Sequence, residues 1–442
     1  MRSMELILEK YKFLGLFVIL GIVAHIASGK SRWQYYPIYF VGLVYLVMIL
    51  LNYFNILNLN PPVSKWMMGI GLLLIIISII LIIILPMEKL PKPSGNYKIG
   101  TVTYDLQDKT REEKYTADKN DKRKIKYQVW YPAEKTKGHK RAKWIYDGKY
   151  LTRQLASSMY MPSFMLDHTS KINSNSYLKA PVDTSLDRYP IVIISHGWSG
   201  FRELHTDYAE ELASNGFIAA SIDHSYGSQG VKFEDGTTID IKKDAIKNSN
   251  LLVKTYGEDV VSVLDDIEKL NKDDEIFKGK LDLDSIGALA HSTGGGGIVH
   301  ASLKDPRIKT LLGLDAWVEP IQNEIRDEKL AIPALFLRSE QWSKGPNNKP
   351  LINLVKNSDR ASLIQMNDTN HVDFSMSYMY SPITKYIGFT GKLGGRVSSK
   401  VQREFILNFF EDNLRAGEGE EEEKDLKEIA DKYDFVEIIE LK

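Results

Sequence analysis

"GALAHSTGGGG" occupies Gly287–Gly297, where an apolar run meets a serine and then breaks into four glycines. Three readings compete for it: a nucleophile on a sharp turn, a glycine-rich phosphate loop, or a flexible connection. A Walker-type loop needs Lys followed by Ser or Thr after its last glycine. Here Gly297 is followed by Ile298, Val299 and His300. A dinucleotide fingerprint needs a glycine ahead of the turn, where Ala290 and His291 stand. A nucleophile elbow asks instead for small residues two before and two after the serine, because backbones crowd where a strand turns sharply into a helix. Ala290 and Gly294 meet that demand. "DSIGALA" before Ser292 reads as a strand, and "IVHASLK" after the glycines can continue as a helix. Ser292 is therefore the candidate nucleophile, with Ala290 in place of the usual elbow glycine.

The flanking sequence repeats the same rhythm. Short apolar runs, "KYQVWYP" (126–132), "YPIVIISHG" (189–197), "GFIAASID" (216–223), "SIGALAH" (285–291), "TLLGLD" (310–315), "IPALFLRS" (332–339) and "ASLIQM" (361–366), lack the alternation of half-exposed strands and read as buried parallel ones. Between them, "RELHTDYAEELASNG" (202–216) and "GEDVVSVLDDIEKLNK" (257–272) have helical spacing, the first ending on a glycine suited to a C-cap. Strand–helix alternation over some 300 residues predicts an α/β domain, a mainly parallel sheet flanked by helices, over residues 97–415. The segment Trp144–Val182 interrupts the rhythm and reads as an insertion over the site. Within it, "SSMYMPSFM" (157–165) is either an apolar lid or ordinary core.

A serine is inert at neutral pH without a base and an orienting acid, which in this fold class follow in the order Ser, acid, His. Of nine histidines only His300 and His371 follow Ser292. His300 falls inside the helix leaving the turn and should point away. His371, in the polar loop "NDTNHVDFS" after a strand, is the candidate base. For the acid, Asp315 ends "TLLGLD" and Glu340 ends the next strand in "LFLRSE"; both stay open, with Asp305 a weaker choice. The backbone amides of Thr293 and Trp198, the latter in "ISHGWSGFRE" (194–203), are the candidate oxyanion donors. His196 precedes the serine and reads as structural. Asp223 and His224 are neighbours on one strand, so they face opposite sides and do not form a metal pair.

The chain of 442 residues has 57 basic and 57 acidic residues, so no net field points to nucleic acid. It has no cysteine, which excludes disulfides, thiolate metal sites and a cysteine nucleophile. No metal or cofactor is expected. Apolar runs at about 11–28, 36–57 and 66–85 predict three transmembrane helices within residues 1–86, the third without charge from Met67 to Leu85. A signal peptide is the competing reading of the first run, which lacks a small-x-small cleavage site. Arg2, Lys10 and Lys12 hold the N-terminus inside, while Lys30 and Arg32 oppose that. Three spans then put the hydrolase domain on the extracytoplasmic side of the plasma membrane. "PMEKLPKPSG" (86–95) reads as a linker over 87–96, and residues 416–442 as an acidic C-terminal tail, a solvated run followed by apolar residues that dock on the domain or on another subunit. The oligomeric state is not readable.

Five motifs in order, "SHGWSGFRE", "AHSTGG", "LDAWVEP", "LFLRSE" and "TNHVDFS", resemble the platelet-activating factor acetylhydrolase family of α/β-hydrolases. The intervals of 23 residues from Ser292 to Asp315 and 56 from Asp315 to His371 are similar to that family's. The likeness covers roughly Lys92 to Leu414. It implies calcium-independent hydrolysis of an ester with a short or oxidised acyl chain, from a phospholipid-like substrate. It also implies Ser292 as nucleophile, Asp315 rather than Glu340 as acid, His371 as base, and Trp198 and Thr293 as oxyanion donors. The alternatives are another hydrolase activity of this fold, peptidase or dienelactone-type, and a catalytically dead membrane-anchored binding module.

Overall fold

The computed structural model describes residues 16–54, 56, 61–415 and 422–441. The chain divides into two compact units, one running to Met87 and including Tyr380–Pro382, the other comprising Glu88–Met379 and the chain from Ile383 onward.

The first unit holds α1 (Leu16–Ala27), α2 (Tyr36–Tyr53) and α3 (Pro61–Ile84). Two windows, Trp33–Leu51 and Lys65–Ile84, are long and apolar enough to cross a membrane, with mean hydropathies of 1.7 and 3.2. The described part of α1 is shorter than the roughly 17–25 residues a span needs. Among the described residues, two helices of spanning length thus stand where three were expected. Residues 11–15 of the first expected run, 55 and 57 of the second, and the flanking Arg2, Lys10 and Lys12 lie outside the described residues. Arg32 donates to the carbonyls of Leu85 (2.8 Å) and Ile82 (3.4 Å), a cation closing the C-terminal end of α3. Its charge therefore has a structural use besides orientation.

The second unit is built on a sheet of β1 (Lys98–Glu112), β2 (Lys122–Ala133), β3 (Arg141–Lys143), β4 (Asn173–Leu178), β5 (Tyr189–Ser195), β6 (Ile218–His224), β9 (Leu281–His291), β10 (Ile308–Leu314), β11 (Ala334–Ser339), β12 (Ala361–Met366) and β13 (Val436–Ile438), with β7 (Gly230–Lys232) and β8 (Thr238–Asp240) forming a separate hairpin. Across the large sheet the order is β13-β12-β11-β10-β9-β5-β6-β2-β1-β4-β3. The six strands from β12 to β6 are parallel. The helices are α4 (Lys149–Ser158), α5 (Thr206–Ser214), α6 (Ser249–Asp273), α7 (Thr293–Ser302), the short α8 (Gln322–Ile325), α9 (Asn348–Asn357), α10 (Gly395–Leu414) and α11 (Glu422–Ala430).

Strand β5, "YPIVIIS", explains why its run carries no alternation. Ile191 and Ile193 enter one core with Val253, Val260 and Val263 of α6 and Ile298 of α7. Val192 and Ile194 enter the other with Tyr208 and Leu212 of α5 and Phe405 and Phe409 of α10. Successive side chains point to opposite faces, and both faces are covered, so Ile191 to Ile194 are apolar without alternation.

Four expectations need correction. Strand β2 runs antiparallel to both β1 and β6: its apolar run reports burial on two faces, not direction. The expected linker is packed on the domain, with the Gly95 amide 3.1 Å from Ser214 Oγ and no room for a side chain there, since a Cβ would lie 2.0 Å from the Ser214 carbonyl oxygen. The Trp144–Val182 segment supplies α4 and the whole of β4, which joins β1 near the far edge of the sheet, so it extends the sheet rather than only covering it. The expected domain end at 415 is too early: of the two dockings expected for the apolar residues of the tail, the one on the domain is found, with Leu426, Ile429 and Ala430 buried and β13 paired antiparallel with β12. The start of its acidic run, residues 416–421, lies outside the described residues.

Candidate active site

The ends of the parallel strands β5, β9, β10, β11 and β12 lie side by side, and the candidate residues all follow them directly or by a few positions. Crevices at the carboxyl ends of parallel strands are where open α/β sheets bind ligands. Ser292 follows β9 with φ 55° and ψ −121°, a conformation that costs about 1–3 kcal/mol for a residue with a side chain. Its surroundings over-determine it. The Ser292 amide donates to the Leu314 carbonyl at 3.0 Å, and its carbonyl accepts from Trp317 at 2.8 Å. A Cβ on Gly294 would lie 2.5 Å from Ser195 Oγ, and one on Gly197 would lie 2.8 Å from Ser292 Cβ. Glycine is thus required where the helix and the β5 loop press against the turn. Ala290 is tolerated because its sheet neighbours are Gly313 and Ser195, both small. The glycine run starting α7 is poor helix-forming sequence, at about 1 kcal/mol per glycine. It persists because the helix start is wedged against the backbones of β5 and of Ala316 and Trp317.

His371 opens a single 3-10 turn after β12. Asn370 caps that turn, its Oδ1 accepting from the Val372 amide at 3.1 Å while Asp373 Oδ2 accepts from the Asn370 amide at 2.8 Å. The imidazole bridges two partners. Its Nε2 lies 2.9 Å from Ser292 Oγ, and its Nδ1 lies 3.0 Å from Asp315 Oδ2. Asp315 follows β10, is 1 % exposed, and accepts from the Ser339 amide at 2.7 Å on Oδ1 and from the Ser339 hydroxyl at 2.7 Å on Oδ2. A carboxylate with these donors remains a good acceptor for the Nδ1–H, which leaves Nε2 as an acceptor facing the Ser292 hydroxyl.

Sequence reasoning weighed Glu340 for the acid, and here the structure separates neighbours. Glu340 is turned away, its carboxylate accepting from Lys344 (2.7 Å) and from the Asp368 amide (3.0 Å), and these hydrogen bonds hold its pKa below the usual range. The residues around it grip the site instead. Ser339 holds Asp315, Gln341 Oε1 accepts from the His371 amide at 2.9 Å, and Trp342 lies flat on the imidazole at 4.0 Å and 7°. On the other face of that ring is His291, 4.4 Å away and donating to the His371 carbonyl at 3.1 Å. Burial pushes His291 well below its ordinary pKa, so it is a neutral spacer. None of Ser339, Gln341, Trp342 or His291 was singled out from sequence. The available signal was position, since all lie within three residues of a strand end.

The Trp198 amide donates to Thr293 Oγ1 at 3.2 Å, so the two candidate oxyanion donors are adjacent. Thr293 is the first residue of α7, where backbone amides have no intrahelical acceptor and the helix dipole favours negative charge. Elsewhere, His300 packs against α6 beside Gly257, and Asp305 is paired with Arg307. His196 is buried, its Nε2 2.8 Å from Ser228 Oγ and its Nδ1 2.7 Å from the Gly197 carbonyl oxygen.

Comparison with known proteins decides the family. The profile of "Platelet-activating factor acetylhydrolase, isoform II" matches residues 82–237 and 243–432. The chain belongs to this family. Relatives include the platelet-activating factor acetylhydrolases of Canis lupus familiaris, 24 % identical over 71 % of this chain and 74 % of the relative, and of Cavia porcellus, 25 % identical over 72 % and 75 %. A ferulic acid esterase from Streptomyces cinnamoneus shares the fold, with a TM-score of 0.66 at 20 % identity over 80 % of this chain and all of that one. This member of the family is a carboxylic ester hydrolase with an α/β-hydrolase domain.

Proposed function

We propose that the protein is a membrane-anchored serine esterase acting through Ser292, His371 and Asp315 on phospholipid-like esters with short or oxidised acyl chains. The observation that carries the reading is the unbroken chain from Ser292 Oγ through both ring nitrogens of His371 to Asp315, at 2.9 and 3.0 Å. As the serine oxygen attacks the ester carbonyl, His371 Nε2 takes its proton and Asp315 stabilises the imidazolium. The tetrahedral oxyanion sits against the Trp198 and Thr293 amides, the Thr293 hydroxyl releasing the Trp198 N–H to it. Collapse expels the alcohol, which receives the proton from His371, and water attacks the acyl-enzyme by the reverse sequence. Each amide contributes about 3 kcal/mol to the barrier reduction.

The proposed substrate class is supported by the names of relatives described as platelet-activating factor acetylhydrolases. Anchoring rests on α2 and α3, whose apolar surfaces are largely exposed. We place the hydrolase domain outside the cytoplasm. Ser292→Ala should lower turnover of p-nitrophenyl acetate on the order of 10⁴-fold without altering the far-UV spectrum. Retained turnover would sink the scheme.

A further inference from the structure

Away from Ser292, the chain joins a second serine, histidine and aspartate in the same order. Ser195, the last residue of β5, has its Oγ 2.8 Å from His224 Nε2 at the end of β6. His224 Nδ1 is 2.9 Å from Asp259 Oδ2 on α6. All three side chains are fully buried. Burial opposes ionisation of Asp259, but Arg123 (2.9 and 2.6 Å) and Arg111 (2.8 Å) hold it far below the usual carboxylate range. Burial also pushes His224 below its ordinary pKa, so the ring is neutral. With Nδ1–H donated to the carboxylate, Nε2 is an acceptor, and the Ser195 hydroxyl donates to it. Tyr256 lies on the ring at 3.7 Å and 17°, and His196 meets it edge-on at 5.1 Å.

Neighbouring Asp223 points the other way, to the Arg202 amide at 2.7 Å and its guanidinium, so the Asp-His pair divides between the two faces of β6. No substrate reaches Ser195: its oxygen is enclosed and lies on a regular strand rather than a strained turn. The relay must therefore act on what Ser195 is attached to. Three residues further on is Trp198. Against Ser195 and the His196 carbonyl sits Gly294, so closely that a Cβ there would lie 2.5 to 2.7 Å from them, and Gly294 is the residue after Thr293.

We propose that Ser195–His224–Asp259 is a positioning relay for the oxyanion hole, holding the end of β5 against α7 so that the Trp198 and Thr293 amides converge beside Ser292. The proposal rests on the reading of Ser292 as nucleophile. It is tested in the full chain with Ser195→Ala, counting competent sites with a fluorophosphonate so that kcat is per folded active site, and measuring affinity for an aryl trifluoromethyl ketone, whose adduct carries the oxyanion. Displacing an oxyanion donor without removing it should lower kcat on p-nitrophenyl acetate roughly tenfold, with KM within about twofold, and weaken the ketone in parallel. Ser195→Cys, which keeps the size and a weak donor, should recover part of both. Wild-type kcat per site in Ser195→Ala, or a ketone affinity that does not follow kcat, overturns the relay. So does fluorophosphonate label mapped to Ser195, because the hydroxyl would then be reachable. Absence of label on Ser292 in the unmodified enzyme instead overturns the nucleophile reading, a failure distinct from that of the relay.

Discussion

The chain carries serine, histidine and aspartate in the same hydrogen-bond order twice, and the two sets differ in what surrounds the serine. Ser292 stands on a strained turn with the His371 side chain 24 % exposed beside it. Ser195 ends a regular strand and is sealed among buried side chains. Besides its histidine, the aspartate of the first set accepts from the amide and hydroxyl of Ser339, whereas that of the second is locked by two guanidiniums. On the proposed reading, hydrogen-bond order alone does not make a nucleophile: access and backbone strain would set Ser292 apart, and rigid ion pairing would mark the set that holds shape.

The contrast can be broken at each end. Asp315→Asn, which leaves the ring without its anionic partner, should cost about 10³- to 10⁴-fold in kcat. Glu340→Gln, at a side chain turned toward Lys344, should stay within about twofold of wild type. A larger loss for Glu340 would reverse the assignment of the acid. In the buried set the same chemistry should register as stability. Asp259→Asn leaves Arg123 and Arg111 without their shared anion and should cost about 3–5 kcal/mol in urea unfolding, as measured for buried pairs that lose one partner. An unfolding midpoint equal to wild type would mean that the guanidiniums find other partners.

A third imidazole sharpens the comparison through pH. His205, stacked on Tyr208 at 14° and 5.8 Å from the His291 ring, has no hydrogen-bond partner on either nitrogen among the described residues. Burial lowers its pKa to about 3. The unfolded chain binds a proton near pH 6.5 that the folded chain refuses. Stability is therefore complete above about pH 6.5 and falls toward pH 3 by up to ~1.4 kcal/mol per pH unit. His205→Phe should remove that share of the acid slope, and an unchanged slope would show that other groups carry it. A modest loss of turnover is expected at Trp342. Replacing the indole that stacks on His371 by leucine should lower kcat about three- to tenfold, whereas phenylalanine should retain most of it, because a π face stabilises the transient imidazolium. Equal loss in both variants would reduce the role of Trp342 to packing.

Much of this was legible beforehand. The seven apolar runs all became strands, because a sheet covered on both faces writes near-continuous hydrophobicity into the chain. Ser292 and His371 could be named as candidates because an elbow demands small neighbours and the chain order leaves few histidines, and the structure sets their side chains 2.9 Å apart. Less legible were strands such as β1, half exposed over its C-terminal part, and the direction of β2, since an antiparallel strand buried on both faces looks like a parallel one. Three spanning helices were read where, among the described residues, two reach the required length.

What the sequence determined by itself was the list of local demands: which runs must be buried, where a strand must turn into a helix, and which side-chain types could form a nucleophile, an acid and a base. It could not say which of two carboxylates one residue past neighbouring strands would face the imidazole, nor that Ser339, Gln341 and Trp342 would flank Glu340 in gripping the site. Nor could it show that Ser195, His224 and Asp259 belong together. Those are decisions of register and rotation among elements far apart in the chain, made only when packing fixes the sheet order and turns each side chain to one face or the other.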